Sequence, residues 1–144
     1  MSKFTKLLAT QNSFAPLVLR VPVGLTLAAH GSQKLFGWLG GYGLEGTGKW
    51  MASIGLEPGV LMAALSGSAE FFGGLLLVLG LLTRPAAALV AFTMLVAIFS
   101  VHIHNGLFMA ANGYEYALAL FAVAISLLIS GGGRASVDSL IANK

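Results

Sequence analysis

Long apolar stretches alternate along this chain with short turn-forming ones, and the length of the apolar stretches sets the reading. A helix crossing a bilayer needs roughly 20 mostly apolar residues. Four stretches come near that length, at about 14–36, 60–82, 85–104 and 111–130. The second is bounded by Pro58-Gly59 and by Thr83-Arg84-Pro85. Pro85 suits the first turn of the next helix, where its missing N–H would have no partner anyway. So short a connection makes the second and third spans antiparallel neighbours. The fourth stretch stops at Gly131-Gly132-Gly133, a run with poor helix propensity, and a short polar tail follows. The expected fold class is all-α: a four-helix transmembrane bundle, one membrane domain over residues 1–144, with a long glycine-rich periplasmic loop between helices 1 and 2. That loop, 37–59, carries Trp38, Tyr42 and Trp50. A stretch at about 47–55 is expected to form one or two turns lying in the interface, with Trp50 and Met51 facing lipid.

Composition supports a chain built for lipid. Hydrophobic residues make up 57% and charged residues only 9%, against about a quarter charged in soluble domains, so a soluble surface cannot be built. Mean hydropathy is +0.88. The two lysines before the first apolar run resemble a signal peptide, but Arg20 interrupts the run and no AxA-like site follows, so a retained first helix is expected. The basic residues are scattered singly, which excludes nucleic acid as a partner. Their distribution orients the bundle instead. Lys3, Lys6, Arg84, Arg134 and Lys144 fall at one end and Lys34 and Lys49 at the other, which favours both termini in the cytoplasm of a bacterial inner-membrane, multi-pass protein. Cysteine is absent, which removes disulfides, thiolate metal sites and thiol catalysis together, and a redox role must then use a bound cofactor. No 20–50-residue repeat is evident, and the loop glycines lack nucleotide-binding spacing.

Ionisable groups inside a span cost about 2.5–3.5 kcal/mol on insertion scales, so each should face the bundle and have a partner. With a rise of about 1.5 Å per residue, Arg20 lies in the inner half, His30, Gln33 and Lys34 in the outer half, and Glu70 near mid-membrane. His102, His104 and Asn105 close the third helix on its outer side, and Glu115 opens the fourth there. Four remote segments thus deliver a candidate site to one half of the membrane: His30, Lys34, Glu70, His102, His104 and Glu115, with Arg20 reaching from below. His30 and Lys34 share a helix face, as do His102 and Asn105, whereas His102 and His104 cannot both face inward unless the helix ends between them. Ser66, Glu70 and Gly74 fall on one stripe of small residues that admits a close neighbour. A carboxyl there is neutral or paired with a cation, and His30, Lys34 and then Arg20 are the candidates.

Each feature also has a plain structural reading. An intramembrane histidine usually bonds two helices together, histidines near an interface are often wetted helix ends, and Arg20 reads as a snorkelling anchor. Trp38, Trp50, Tyr114 and Tyr116 read as an aromatic belt. Glu70 differs, because a mid-span carboxyl is functional by default.

The segments LRVPVGLTLAAHGSQKLFGWLGG and SGSAEFFGGLLLVLGLLTRPAA, the histidine-containing end of the third helix, the glutamate opening the fourth and the closing GGGRASVDSLI together resemble the DoxX family of bacterial membrane proteins, over about residues 15–141. The resemblance implies a four-helix inner-membrane protein, similar to the small quinone-linked membrane subunit of a thiosulfate-oxidising enzyme and to maturation partners of periplasmic redox proteins. It places Arg20, Gly31, Lys34, Glu70, Gly73, Gly80, Arg84, His102, Glu115 and Asp138 at family-like positions. The missing cysteines argue against thiol exchange.

Three functions follow. The first is a redox accessory subunit of a quinone-linked oxidoreductase, with a quinone between helices, Glu70 or a histidine relaying a proton, and His30 or Lys34 bonding a quinone oxygen. The second is a scaffold or maturation partner for a periplasmic redox protein, without chemistry of its own. The third is a metal or haem site drawing on His30, His102, His104, Glu70 and Glu115, although no helix carries the ExxH pair of di-iron bundles. A small-solute transporter would require the chain to form a homo-oligomer.

Overall fold

The structure is a computed structural model that describes residues 2–143, so Lys144, counted above among the charges at one end, lies outside the described residues. The chain is helical throughout, and no strand occurs among the described residues. Its helices are α1 (Lys3–Leu7), α2 (Ala15–Phe36), α3 (Gly43–Ser53), α4 (Gly59–Leu79), α5 (Thr83–Ala97), α6 (Glu115–Ser130) and α7 (Val137–Ala142). The α5 helix continues as a π turn over Ile98–His102 and a 3-10 turn over Ile103–Asn105. Four long helices therefore occupy the expected stretches, but the last is shorter than expected, because 109–111 forms a separate 3-10 turn and Asn112 turns left-handed before α6 begins.

By length and composition, Gly59–Leu79 and Thr83–Asn105 are long and apolar enough to cross a membrane, with mean hydropathies of 1.7 and 2.3. Glu115–Ser130 is apolar but shorter. The outward faces are what a soluble protein avoids: Val18, Leu25, Phe72, Phe92, Phe99 and Ile129 are each more than half exposed.

Packing is decided by glycine. Helices α2 and α4 run antiparallel with Gly24 against Gly74 and Gly31 against Gly67. A Cβ on Gly24 would stand 2.6 Å from the Gly74 carbonyl oxygen, and one on Gly31 would strike the Phe71 backbone and sit 2.7 Å from the Gly67 carbonyl oxygen. No larger residue allows that approach, and van der Waals contact between backbones is what draws helices together where lipid offers no hydrophobic gain. The apolar core lies on the other side of this pair, where Leu27 and Leu77 meet Val90, Met94, Leu120, Ala124 and Leu127 of α5 and α6.

The segment 37–59 corrects the expectation of a glycine-rich loop. It contains the 11-residue helix α3, packed on α4. Met51, expected to face lipid, is buried, and Trp50 is partly exposed. The reason is again close approach: a Cβ on Gly48 would lie 2.9 Å from the Val60 Cα, so the glycines that depress helix propensity also let α3 settle on the start of α4.

One end of the bundle is closed by buried charge acting on backbone. Arg20 is 1% exposed and donates to the carbonyl oxygens of Gly132 (2.8 Å), Val78 (2.9 Å), Ala135 (2.7 Å), Leu77 (3.3 Å) and Arg134 (3.5 Å). Two of these are last-turn carbonyls of α4, at the negative end of the helix dipole, and the Val78 oxygen has no other donor among the described residues. Arg84 donates to Ala9 and Leu128 carbonyls in the same way, at 3.0 and 2.7 Å. Asp138 is equally buried and accepts from the Leu82 and Thr83 N–H groups, both at 2.8 Å, capping the start of α5.

Two outcomes follow. Gly31→Leu should force α2 and α4 apart and cost about 1–3 kcal/mol or more, read as a lowered melting temperature in detergent. Arg20→Met should cost about 3–5 kcal/mol, because it strips a buried cation from the Gly132, Val78 and Ala135 carbonyls, which have no other donor among the described residues, whereas Lys6→Met, on an exposed residue, should stay within about 0.5 kcal/mol of the parent chain.

Candidate functional site

The close crossing of α2 and α4 has a chemical consequence beside it. Lys34 lies one turn past Gly31, whereas Glu70, on the antiparallel helix, lies one turn back toward Gly74, so the long lysine side chain has to lean back along the seam to meet the carboxylate. Lys34 Nζ donates to Glu70 Oε1 at 2.6 Å. Their side chains are 26% and 7% exposed, so this pair sits mostly out of solvent, where attraction between charges is strong. Glu70 Oε2 is buried and has no hydrogen-bond partner among the described residues. A buried carboxylate oxygen without a donor costs free energy, and a bound group with an O–H or N–H would recover it.

The pair stands in the wall of a cavity of about 620 Å³ between α3, α4 and α5. Most of the lining is apolar: Met51, Leu56, Met62, Leu65, Leu89, Phe92, Val96 and Val101. Polar groups enter at few points, namely Lys34, Glu70, Ser66, Thr93, His102 and Asn112, with Trp50 on the α3 side. Leu65, Leu89 and Phe92 are largely exposed, so the cavity opens sideways between α4 and α5. Volume, apolar lining and sparse polar groups are those of a site for a small, largely apolar molecule.

The expected cluster is thus partly assembled. Lys34, Glu70 and His102 line one cavity. His30 does not, although it lies one turn before Lys34; it is exposed, and its ring stands 5.8 Å from that of Tyr116 on α6. The long lysine side chain reaches across the glycine seam while the short imidazole turns to the other neighbour. His104 is exposed in the 3-10 turn, outside the cavity. The helix changes from π to 3-10 between His102 and Ile103, which is the break that separates the two histidines. Glu115 sits in the first turn of α6, where the helix dipole favours a carboxylate, and does not line the cavity. Arg20 is a correction: its guanidinium is committed to carbonyls at the far end of the bundle, so it neither snorkels nor reaches Glu70. The aromatic-belt reading also divides, since Trp38 is exposed and stacks on Phe36 at 4.6 Å, while Tyr114 and Tyr116 pack against the core.

The metal alternative meets a geometric obstacle. Among the described residues, no three His, Asp or Glu side chains come close enough together to hold an ion.

Asn112 was not singled out from sequence. Its carbonyl oxygen faces His102 Nδ1 at 2.8 Å and accepts from Asn105 Nδ2 at 3.1 Å. The available signal was the Asn112-Gly113 dipeptide, a turn that admits the left-handed conformation Asn112 takes.

The chain is 34% identical over 125 residues to the Bacillus subtilis protein named "Putative oxidoreductase CatD", covering 87% of this chain and 85% of that one. It is 32% identical over 128 residues to a Haemophilus influenzae protein without an assigned function, covering 84% and 86%. No solved structure matches. The DoxX family profile matches residues 15–103, which include the glycine seam, Lys34, Glu70 and His102, and the chain belongs to the DoxX family.

Proposed function

We propose that this DoxX-family membrane protein is a redox accessory subunit that binds a quinone in the cavity between α3, α4 and α5. The observation that supports this most is the Lys34–Glu70 pair, with one buried carboxylate oxygen uncommitted, set in the wall of an apolar cavity that opens sideways. The residues suit the molecule: the ring and tail take the Leu, Met, Phe and Val lining, and one ring oxygen accepts from Lys34 Nζ. A bound quinone supplies reversible two-electron, two-proton chemistry. Glu70 Oε2 would accept a proton from a ligand hydroxyl, and Lys34 keeps that carboxylate oriented. The cysteine-free chain offers no thiol couple, so the electrons come from a partner redox protein outside the membrane. The relative named as an oxidoreductase favours this over a bare scaffold.

In the arrangement proposed, α2, α4, the α5 segment and α6 cross a bacterial inner membrane. The termini and the Arg20 network then lie on the cytoplasmic side, and α3 on the periplasmic side. Lys3, Lys6, Arg84 and Arg134 all fall at the cytoplasmic end, in accord with the positive-inside rule.

The binding test uses decylubiquinone and the fluorescence of Trp50, which lines the cavity. Quenching should saturate in the parent protein. The double variant Lys34→Gln/Glu70→Gln, which removes both charges and leaves neither unpaired, should stay folded and bind about tenfold more weakly. No saturable quenching in the parent, or unchanged affinity in the double variant, overturns the reading. For topology, the absence of cysteine makes single-cysteine variants clean reporters. In whole cells an impermeant maleimide should label Glu45→Cys in the α3 segment and leave Asn143→Cys untouched until the membrane is opened; the reverse pattern overturns the orientation.

A further inference from the structure

Resting on the quinone-pocket reading, we infer that His102 is a specificity-determining residue that makes the cavity select a hydroxyl-bearing ligand, the hydroquinone form over the quinone. The inference starts from the atom that His102 faces. The Asn112 carbonyl oxygen, 2.8 Å from Nδ1, can only accept, so Nδ1 carries the hydrogen and donates it. In a neutral imidazole the other nitrogen is then an acceptor, and Nε2 has no partner among the described residues. The Asn112 carbonyl is itself held in place, by the left-handed turn at φ 58° and by the Asn105 amide that donates to the same oxygen. The tautomer is therefore set by backbone geometry.

His102 reaches the cavity because the helix loosens there. The π turn over Ile98–His102 shifts the register of α5 just before it ends, and Ala97, Val101 and His102 all line the cavity. The hydrogen-bonding inventory of the site is consequently uneven. Lys34 Nζ is a donor, whereas Glu70 Oε2 is an acceptor buried without a partner and His102 Nε2 an acceptor with none among the described residues. A quinone offers two acceptors and no donor, so it satisfies Lys34 and leaves acceptor facing acceptor at His102. A hydroquinone offers two hydroxyls, each donor and acceptor, and one can donate to Nε2 while the other receives from Lys34 and donates to Glu70. Sites built to bond a ligand hydroxyl reject analogues lacking it, because their own polar groups are left unpaired.

The experiment is calorimetric titration of the whole protein in detergent with a single-prenyl benzoquinone, and with the same molecule reduced to its hydroquinone. The parent protein should bind the hydroquinone at least about tenfold more tightly. His102→Asn keeps an amide N–H toward the Asn112 carbonyl and, being shorter, places no acceptor where Nε2 stood. It should weaken the hydroquinone about tenfold and leave the quinone unchanged, so that the preference collapses. Equal binding of the two forms by the parent protein, or an equal loss of both in the variant, overturns the role of His102 while leaving the pocket standing. Binding of neither form overturns the pocket and the selectivity together. Nitrogen-15 spectra of the histidine-labelled parent protein give a reading that needs no variant of residue 102, with His30→Gln and His104→Gln used for assignment. The hydrogen should reside on Nδ1 of His102, and finding it on Nε2 overturns the inference.

Discussion

Everything in this molecule hangs on how closely α2 and α4 approach. Gly24, Gly31, Gly67 and Gly74 remove the side chains that would hold the two backbones apart, and the contact they permit is steric and short-ranged. That contact is also what makes the charge pair. Lys34 and Glu70 flank the Gly31–Gly67 contact from opposite sides and bridge it, so any widening of the seam would separate them and leave a carboxylate buried without its cation. The packing of the glycines is thus what keeps the charge pair within reach.

The two ends of the bundle are finished in opposite ways. At one, Arg20, Arg84 and Asp138 satisfy backbone groups that helix ends and the closing glycine loop leave bare. At the other, the α5 helix loosens through a π turn into a 3-10 turn, α3 lies across the start of α4, and a cavity persists between them. Rigid closure at one end holds the helices in register while the other end keeps room for a ligand. The polar groups facing that room are few, and each is held by a neighbour: Lys34 by Glu70, and His102 by the Asn112 carbonyl.

Much of this was legible in the sequence, for reasons that can be named. The long helices follow from apolar runs bounded by Pro58-Gly59, Thr83-Arg84-Pro85 and the triple glycine. The Lys34–Glu70 partnership was among the alternatives, because helical rise makes His30 and Lys34 the cations nearest Glu70 in depth and the stripe of small residues implies a close neighbour. What escaped was decided by tertiary contact. Glycine-rich 43–53 reads as loop on propensity, yet it forms α3, with Gly48 fitted against the start of α4. Periodicity puts His30 and Lys34 on one face, but it cannot tell that one side chain is long enough to cross the seam while the other turns to Tyr116. Arg20 looked like an anchor or a reaching partner, since no sequence pattern announces that five main-chain carbonyls converge on it.

That convergence leaves its mark on which changes the chain can absorb. The oxygens around Arg20 and Arg84 belong to the main chain, so the residues that carry them, at 9, 77–78, 128, 132 and 134–135, are recognised through their backbone. In the closing segment even the side chain is constrained, because a Cβ on Gly132 would stand 2.8 Å from Thr83 Oγ1. Insertion or deletion of a single residue between α6 and α7 is graver, because it carries the Gly132 and Ala135 carbonyls away from a guanidinium whose planar fork cannot follow. The closing segment is therefore strict about counting above all.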